Sequence, residues 1–380
     1  MSVSPSLPPR SKIVENIPEG ALLYAYKLKK YFPLRRSLKE ILARKPPRYV
    51  RAVDGVTFYI REGETFCLVG ESGCGKTTTG RTILRLEEPT AGYVFYRPRE
   101  ESLKELKKLM GEKLRVYGDG YVDLTEIPSK YFKPLRKELQ IIFQDPYGSL
   151  NPRFKIATIL EEPLLIHGVG ATYEERDKII TKILEDVKLV PPEDFKKRYP
   201  HMLSGGQRQR VGIARAIILG PQFIVADEPV SMLDVSIRAE ILELMMELQR
   251  KYKLTYLFIT HDLAVARYIC DRIAVMYLGT IVEIAKTDEL INNPLHPYTR
   301  ALLAAVPDPD PENRHKIREV PIKGEVPSAA AIPPGCRFHP RCVALDQHRE
   351  ELGELCTKEE PELIEIKPDH WVSCWLYSKK

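Results

Sequence analysis

The stretch Gly70-Glu-Ser-Gly-Cys-Gly75-Lys76-Thr77 constrains this chain more than any other. It is a P-loop, following the short apolar run Thr65 to Val69 and opening a predicted helix. Its glycines let the backbone curl until successive N–H groups face one anion, and the helix tip adds partial positive charge. The candidate phosphate-binding residues are therefore Gly70, Ser72, Gly73, Cys74, Gly75, Lys76, Thr77 and Thr78. Lys76 can bridge the outer two phosphates of a triphosphate, and the Thr77 hydroxyl can ligate Mg²⁺.

A P-loop needs strands around it, and the hydrophobic pattern supplies them. Ala21 to Leu28 reads as a first strand. Alternating Val53, Val56, Phe58 and Ile60 mark another. Phe223 to Ala226 and Tyr256 to Ile259 are short apolar runs suited to buried central strands. Helical patterns lie between them. Thr172 with Glu175 forms a capping-box signature, opening a helix with Ile179, Ile180, Ile183, Leu184 and Val187 on one face. Ser236 to Tyr252 repeats Ile237, Ile241, Leu244, Met245 and Leu248 at helical spacing. Strands alternating with helices imply an α/β fold with a mostly parallel sheet covered on both faces. Arg97 to Leu135 reads as an insertion with its own helix, Leu103, Leu106, Leu109 and Met110 sharing one side. A Pro- and Arg-rich insertion occupies Pro33 to Pro47, and the chain turns Pro-rich and irregular beyond Pro294.

The strand Phe223 to Ala226 delivers two adjacent acids, Asp227 and Glu228, at its carboxyl end, the edge where open α/β sheets bind ligands. Asp227 would hold Mg²⁺, mainly through water, and Glu228 would polarise an attacking water as general base. Gln144 follows the apolar run Leu139 to Phe143 and could contact both Mg²⁺ and that water. His261 follows the strand ending at Thr260 and could reach the γ-phosphate.

Leu203-Ser204-Gly205-Gly206-Gln207 begins another helix, running to Ile218. A helix tip without bulky side chains is a second anion cradle. One triphosphate does not need both cradles from one subunit. Two subunits head to tail, each presenting this tip to the ATP held by the other, resolve the surplus. With these motifs in this order, and with Ser231-Met-Leu-Asp234 after the acids, the chain resembles the ATP-binding cassette (ABC) family from about Leu22 to Ala285. The resemblance implies a RecA-like core, an antiparallel β subdomain and an α-helical signature subdomain. It implies that Ser204, Gly205, Gly206 and Gln207 meet the opposing nucleotide, and that Asp234 couples the two sites. It also implies an aromatic stacked on adenine, for which Phe32 is the first candidate and Tyr31 the second.

Further text matches one group of that family. Lys29-Lys-Tyr-Phe-Pro33, Val53-Asp-Gly55, Ile142-Phe-Gln-Asp-Pro-Tyr147, Ser149-Leu-Asn-Pro152, His296-Pro-Tyr-Thr-Arg-Ala301 and Pro334-Gly-Cys-Arg-Phe-His-Pro-Arg-Cys342 resemble the F-type ATPase subunit of oligopeptide/dipeptide permeases. This implies a partner D-type ATPase, two membrane-spanning permease subunits and, indirectly, an extracytoplasmic solute-binding protein. Some members of the group import oligosaccharides instead of peptides. The expected organisation is an irregular N-terminus over 1–20, the ATP-binding domain over 21–290 and a C-terminal transporter-type domain over 291–380.

Seven cysteines are unevenly spread, and Cys336, Cys342, Cys356 and Cys374 crowd the end. In a cytosolic chain such a cluster points to a metal site rather than a disulfide framework. Its spacing lacks the paired C-x2-C of common zinc ribbons. Some peptide-permease ATPases carry a [4Fe–4S] cluster on a similar quartet, which the resemblance favours over zinc. No apolar run approaches the roughly 20 residues needed to span a bilayer, and Met1 to Arg10 lacks the apolar core of a secretory signal. The expected place is the cytoplasmic face of the membrane, reached through the permease. A basic stretch from Lys27 to Arg51 could meet nucleic acid or anionic lipid, but a net charge of +6 over 380 residues reads as a solvated surface. A soluble ATPase working on nucleic acid or ribosomes is the reading from another class. One cassette, with its P-loop and signature within about 130 residues, argues against it, and no nucleic-acid partner is expected.

Overall fold

The computed structural model describes residues 7–36, 42–43, 46–306 and 320–378. Most of the serine- and proline-rich start, and parts of the Pro33 to Pro47 insertion and of the basic stretch, lie outside the described residues. In chain order the strands are β1 (Ala21–Pro33), β2 (Tyr49–Arg61), β3 (Thr65–Val69), β4 (Ala91–Tyr96), β5 (Val122–Asp123), β6 (Leu139–Ile142), β7 (Phe223–Asp227), β8 (Thr255–Thr260), β9 (Arg272–Tyr277), β10 (Thr280–Lys286), β11 (Ile364–Lys367) and β12 (His370–Val372). The chain divides into two compact units, and it passes between them several times.

The first unit takes the N-terminal residues up to Tyr24, Tyr59–Thr65 and Val94–Ile259. Its parallel strands run β6-β7-β8, in register at Leu139↔Phe223 and Phe223↔Thr255. Every residue of β7 is buried, the near-continuous apolar run that a strand covered on both faces requires. The helix Gly205–Ile217 buries Val211, Ile213 and Ala214, and the helix Val235–Tyr252 buries Ile241, Leu244, Met245 and Leu248. Thr172 caps Tyr173–Asp186 by accepting from the Glu175 N–H at 3.2 Å. The return arm of the capping box departs from expectation, because the Glu175 carboxylate accepts from the Ala171 N–H at 2.7 Å.

Two expectations are corrected in this unit. Residues 1–20 are not wholly irregular: Arg10–Val14 is a helix, secured by an Arg10–Asp123 ion pair at 2.7 Å. The insertion helix, Glu100–Met110, buries Leu106 and Met110 but leaves Leu109 exposed, so its apolar stripe is narrower than the pattern suggests. The same insertion contributes β5, antiparallel to β4 through Phe95↔Asp123.

The second unit comprises Ala25–Phe58, Phe66–Tyr93 and the residues from Thr260 onward. Here β3 lies parallel to β9, with Phe66 opposite Arg272 and Val69 opposite Val275. Strands β9 and β10 form a hairpin whose two turn residues, Leu278 and Gly279, have φ of 41° and 83°. Positive φ at both positions is what a two-residue primed turn demands. The C-terminal appendage is less irregular than its proline content suggests. Strand β12 adds to β10 antiparallel, at Glu283↔Val372, and β11 pairs with β12. Two of the scattered cysteines, Cys67 and Cys270, form a disulfide with Cα atoms 5.9 Å apart, a pairing the reading of the cysteines did not include. No helix among the described residues is long and apolar enough to cross a membrane.

Candidate active site

The second unit carries the phosphate loop between β3 and the helix Lys76–Ile83. Gly75 is the N-cap of that helix with φ of 108°. A Cβ there would lie 2.0 Å from the Ala52 carbonyl oxygen, so only glycine fits. The Lys76 side chain is buried, and its ammonium donates to the carbonyls of Gly70 at 2.7 Å and Glu71 at 3.0 Å. The cation thus lies in the crook of the loop, where an anion would meet it. Thr79 steadies the helix start by donating to the Gly75 carbonyl at 3.0 Å. Phe32, on β1, is partly exposed, with the Lys30 ammonium 4.8 Å from its ring centre. Neighbouring Tyr31 donates its hydroxyl to Asp54 and its N–H to Thr90 Oγ1, the latter at 2.9 Å. Burial first, then the bond to Asp54, raises the Tyr31 phenol well above its usual range. His261 is exposed, one residue before the Asp262 cap of Leu263–Ile269.

The first unit carries the acids and the signature. Asp227 is buried at the end of β7. Glu228 follows with φ of 46°, a left-handed conformation held where its N–H donates to the Ile259 carbonyl at 3.0 Å. The Gln144 amide donates to the Glu228 carboxylate at 3.0 Å. Two residues 84 apart in sequence are therefore brought into direct contact. Ser204 caps Gly205–Ile217 through a complete capping box: its hydroxyl accepts from the Gln207 N–H at 3.3 Å, and the Gln207 side chain accepts from the Ser204 N–H at 3.1 Å. A Cβ on Gly206 would lie 2.7 Å from the Ile237 side chain, so the signature tip sits close on the helix Val235–Tyr252. Asp234 occupies the N-cap of that helix, exposed, and makes no capping bond there with its side chain.

The four C-terminal cysteines line one small cavity, with His296, Phe338 and His339 among its other walls. Burial raises the Cys336 thiol, and the other three thiols add to the effect. Cys356 is pushed up to about 11 by burial and by Cys342. The donor set suits a thiophilic metal in kind. Even so, among the described residues no three or more His, Cys, Asp or Glu side chains are gathered as a group able to hold a metal ion.

Comparison with known proteins places these features in a family. The ABC transporter family matches residues 53–231. The oligopeptide transport ATP-binding protein AppF of Bacillus subtilis (strain 168) is 45% identical over 351 residues, covering 92% of this chain and 96% of that protein. The dipeptide transport ATP-binding protein DppF of Haemophilus influenzae is 42% identical, covering 96% and 98%. This chain is an ABC transporter ATP-binding protein. A second family, the C-terminal region of oligopeptide/dipeptide transporters, matches residues 282–348 of this ABC protein. Among solved structures, the dimeric bacterial ABC transporter cassette MJ0796 is similar at 28% identity and TM-score 0.55, covering 70% of this chain and 98% of that one. As an ABC ATP-binding subunit the chain is an ATPase with a cassette fold.

Sequence reasoning passed over several residues around the ABC phosphate loop. Glu71 counted as an unconstrained position of the motif, yet its N–H donates to the Tyr298 hydroxyl at 3.0 Å and its carboxylate pairs with Arg341. Asp54 accepts from Tyr31 and from Arg337, at 2.7 Å from the latter. The partners are up to 283 residues apart in sequence. No local pattern signals such pairs.

Proposed function

We propose that this chain powers uptake of oligopeptides or dipeptides by hydrolysing ATP in a pair of cassettes arranged head to tail. The observation that carries the proposal is the presence of two separate glycine-framed helix starts, after Gly75 and after Ser204, each suited to an anion. The loop N–H groups would hold the β- and γ-phosphates, and the Lys76 ammonium would turn from the Gly70 carbonyl onto them. Thr77, Asp227 and Gln144 are the groups to hold Mg²⁺, which supplies charge neutralisation when bound. Glu228, oriented by Gln144, would take the proton of the attacking water, and His261 would contact the γ-phosphate. Phe32, with Tyr31 as the alternative, would stack on adenine. The Ser204, Gly205, Gly206 and Gln207 tip would close on the nucleotide of the partner, with Asp234 coupling the two sites.

The partner in this reading is a second, D-type ATPase, and the pair works on the cytoplasmic face beneath two permease subunits served by a solute-binding protein. The names of the relatives, and the C-terminal match at 282–348, support peptides as cargo. The cysteine quartet is proposed to hold a [4Fe–4S] cluster, or zinc as the alternative, in a structural role. Its support is the cavity that all four thiols share, and iron and sulfide analysis after anaerobic purification tests it.

Ser204→Arg, introduced into both cassettes, tests the trans arrangement. The substitution fills the helix tip and leaves the P-loop intact. ATP binding should stay near wild type while turnover falls at least a hundredfold. Steady-state hydrolysis at the wild-type rate would refute the second cradle.

A further inference from the structure

We propose that Arg341 is a positioning residue of the ATP site, neutralising and aiming Glu71 so that the phosphate loop accepts a triphosphate. The proposal deepens the ATP-site reading and rests on it. Glu71 is the first residue after Gly70 in the loop, and its charge is of the wrong sign for a phosphate cradle. Arg341 answers that charge with a two-point grip: Nη1 lies 2.7 Å from one carboxylate oxygen and Nη2 3.1 Å from the other. Planar fork-to-carboxylate pairing fixes direction as well as charge, which a lysine cannot reproduce.

The grip comes from a part of the chain that the P-loop motif does not contain. Arg341 side-chain exposure is only 7%, and its guanidinium lies 5.9 Å from the Tyr277 ring centre at the end of β9. From the same region, the Tyr298 hydroxyl takes the Glu71 N–H. Arg337, four residues earlier, donates to the Leu278 carbonyl at 2.6 Å. The next residue, Gly279, donates its N–H to the Cys74 carbonyl inside the loop at 2.9 Å. The C-terminal segment therefore reaches the loop at Glu71 directly and at Cys74 through the β9–β10 turn. Arg341 directly precedes Cys342, one of the four thiols that line the C-terminal cavity.

The test uses the full chain with its ATPase partner, reading KM and kcat for ATP hydrolysis, direct binding of ATP to the purified chain, and the thermal midpoint. Arg341→Ala should raise KM and Kd for ATP about tenfold with kcat within twofold. Arg341→Lys should recover only part of that loss. Adding Glu71→Gln to Arg341→Ala should restore affinity, because the uncompensated carboxylate is gone; a merely structural arginine would not be rescued this way. Glu71→Gln alone should lower KM, since Arg341 then offers unpaired positive charge to the loop. That variant keeps the proposal testable if Arg341→Ala does not fold. Unchanged KM and Kd in Arg341→Ala, a double variant as weak as the single one, or a raised KM in Glu71→Gln each overturn it. Lys76→Ala separates the two readings. If that variant binds ATP normally, the ATP-site reading itself fails. If it loses ATP while Arg341→Ala does not, only the role of the arginine is lost.

Discussion

At the scale of single residues, two glycines of the loop that look equivalent in sequence are not equivalent in space. Gly75 has φ of 108° and no room, with the Ala52 carbonyl oxygen 2.0 Å and the Met276 Cε 2.9 Å from where a Cβ would stand. Gly73 has φ of 79° but nothing within 4 Å of that position. Alanine at Gly73 meets only the backbone strain of a left-handed conformation, on the order of 1 kcal/mol. Alanine at Gly75 adds a collision with backbone that cannot move without displacing β2, and roughly 3 kcal/mol is expected. Gly75→Ala should therefore lower the thermal midpoint clearly more than Gly73→Ala, and should lose most ATP binding by titration. Equal effects of the two would contradict this geometry. The motif itself was legible because P-loop chemistry is local: eight consecutive residues carry it. The Glu71–Arg341 pair was not legible, since 270 residues separate the partners and neither sits in a periodic pattern.

At the scale of elements, legibility followed length and periodicity. Thr65 to Val69 was expected as a strand and is β3 with the same bounds, while the long helices bury most of the positions their spacing marks, Ile179 and Ile237 near their starts being only half-buried. The five-residue helix Arg10–Val14 is too short for a 3.6-residue period to register, and it is held by a distant acid instead. That acid, Asp123, organises the Arg97 to Leu135 insertion. Its fully buried carboxylate accepts from Arg10 Nε at 2.7 Å, the Val94 N–H at 3.2 Å and the Thr125 N–H at 2.9 Å. Asp123→Ala would leave two N–H groups without this acceptor and the half-buried Arg10 guanidinium with only its longer pairing to Glu126 at 3.3 Å, costing about 3 kcal/mol. The insertion carries none of the proposed ATP-site residues. The expected result is a thermal midpoint lowered by several degrees with KM for ATP unchanged, and Asp123→Asn should recover part of the loss. A changed KM would give the insertion a part in nucleotide binding.

At the scale of the whole molecule, the cysteines show what sequence spacing reveals and what it hides. Crowding of four thiols into the last 45 residues led to the expectation of a metal site; they line one cavity, yet among the described residues they are not gathered as a group able to hold a metal ion. Cys67 and Cys270 gave no such hint, being 203 residues apart. Their meeting depends on β3 lying beside β9, with Cys67 opposite Ile273, three residues past Cys270. Pairing of strands distant in sequence is set by the sheet as a whole, which local pattern does not encode.

The same limit governs the catalytic assembly, where the decisive contact is proposed to come from another chain. Glu228→Gln isolates that contact. Glutamine keeps the size and an oxygen acceptor for the Gln144 amide that now lies 3.0 Å from the Glu228 carboxylate, so the local fold should persist. What it loses is the basicity that general-base catalysis needs, commonly a factor of about 10²–10⁴. With chemistry stalled, each ATP in the proposed pair would stay gripped by the P-loop of one cassette and the Ser204 tip of the other. The variant mixed with its partner ATPase and ATP–Mg²⁺ should run as a paired species in light scattering, and should separate when ATP is withdrawn. Steady-state hydrolysis near the wild-type rate would remove Glu228 as the base. A stalled, ATP-loaded sample that stays monomeric beside its partner would remove the head-to-tail site, because nothing else in the proposal uses the helix tip at Ser204.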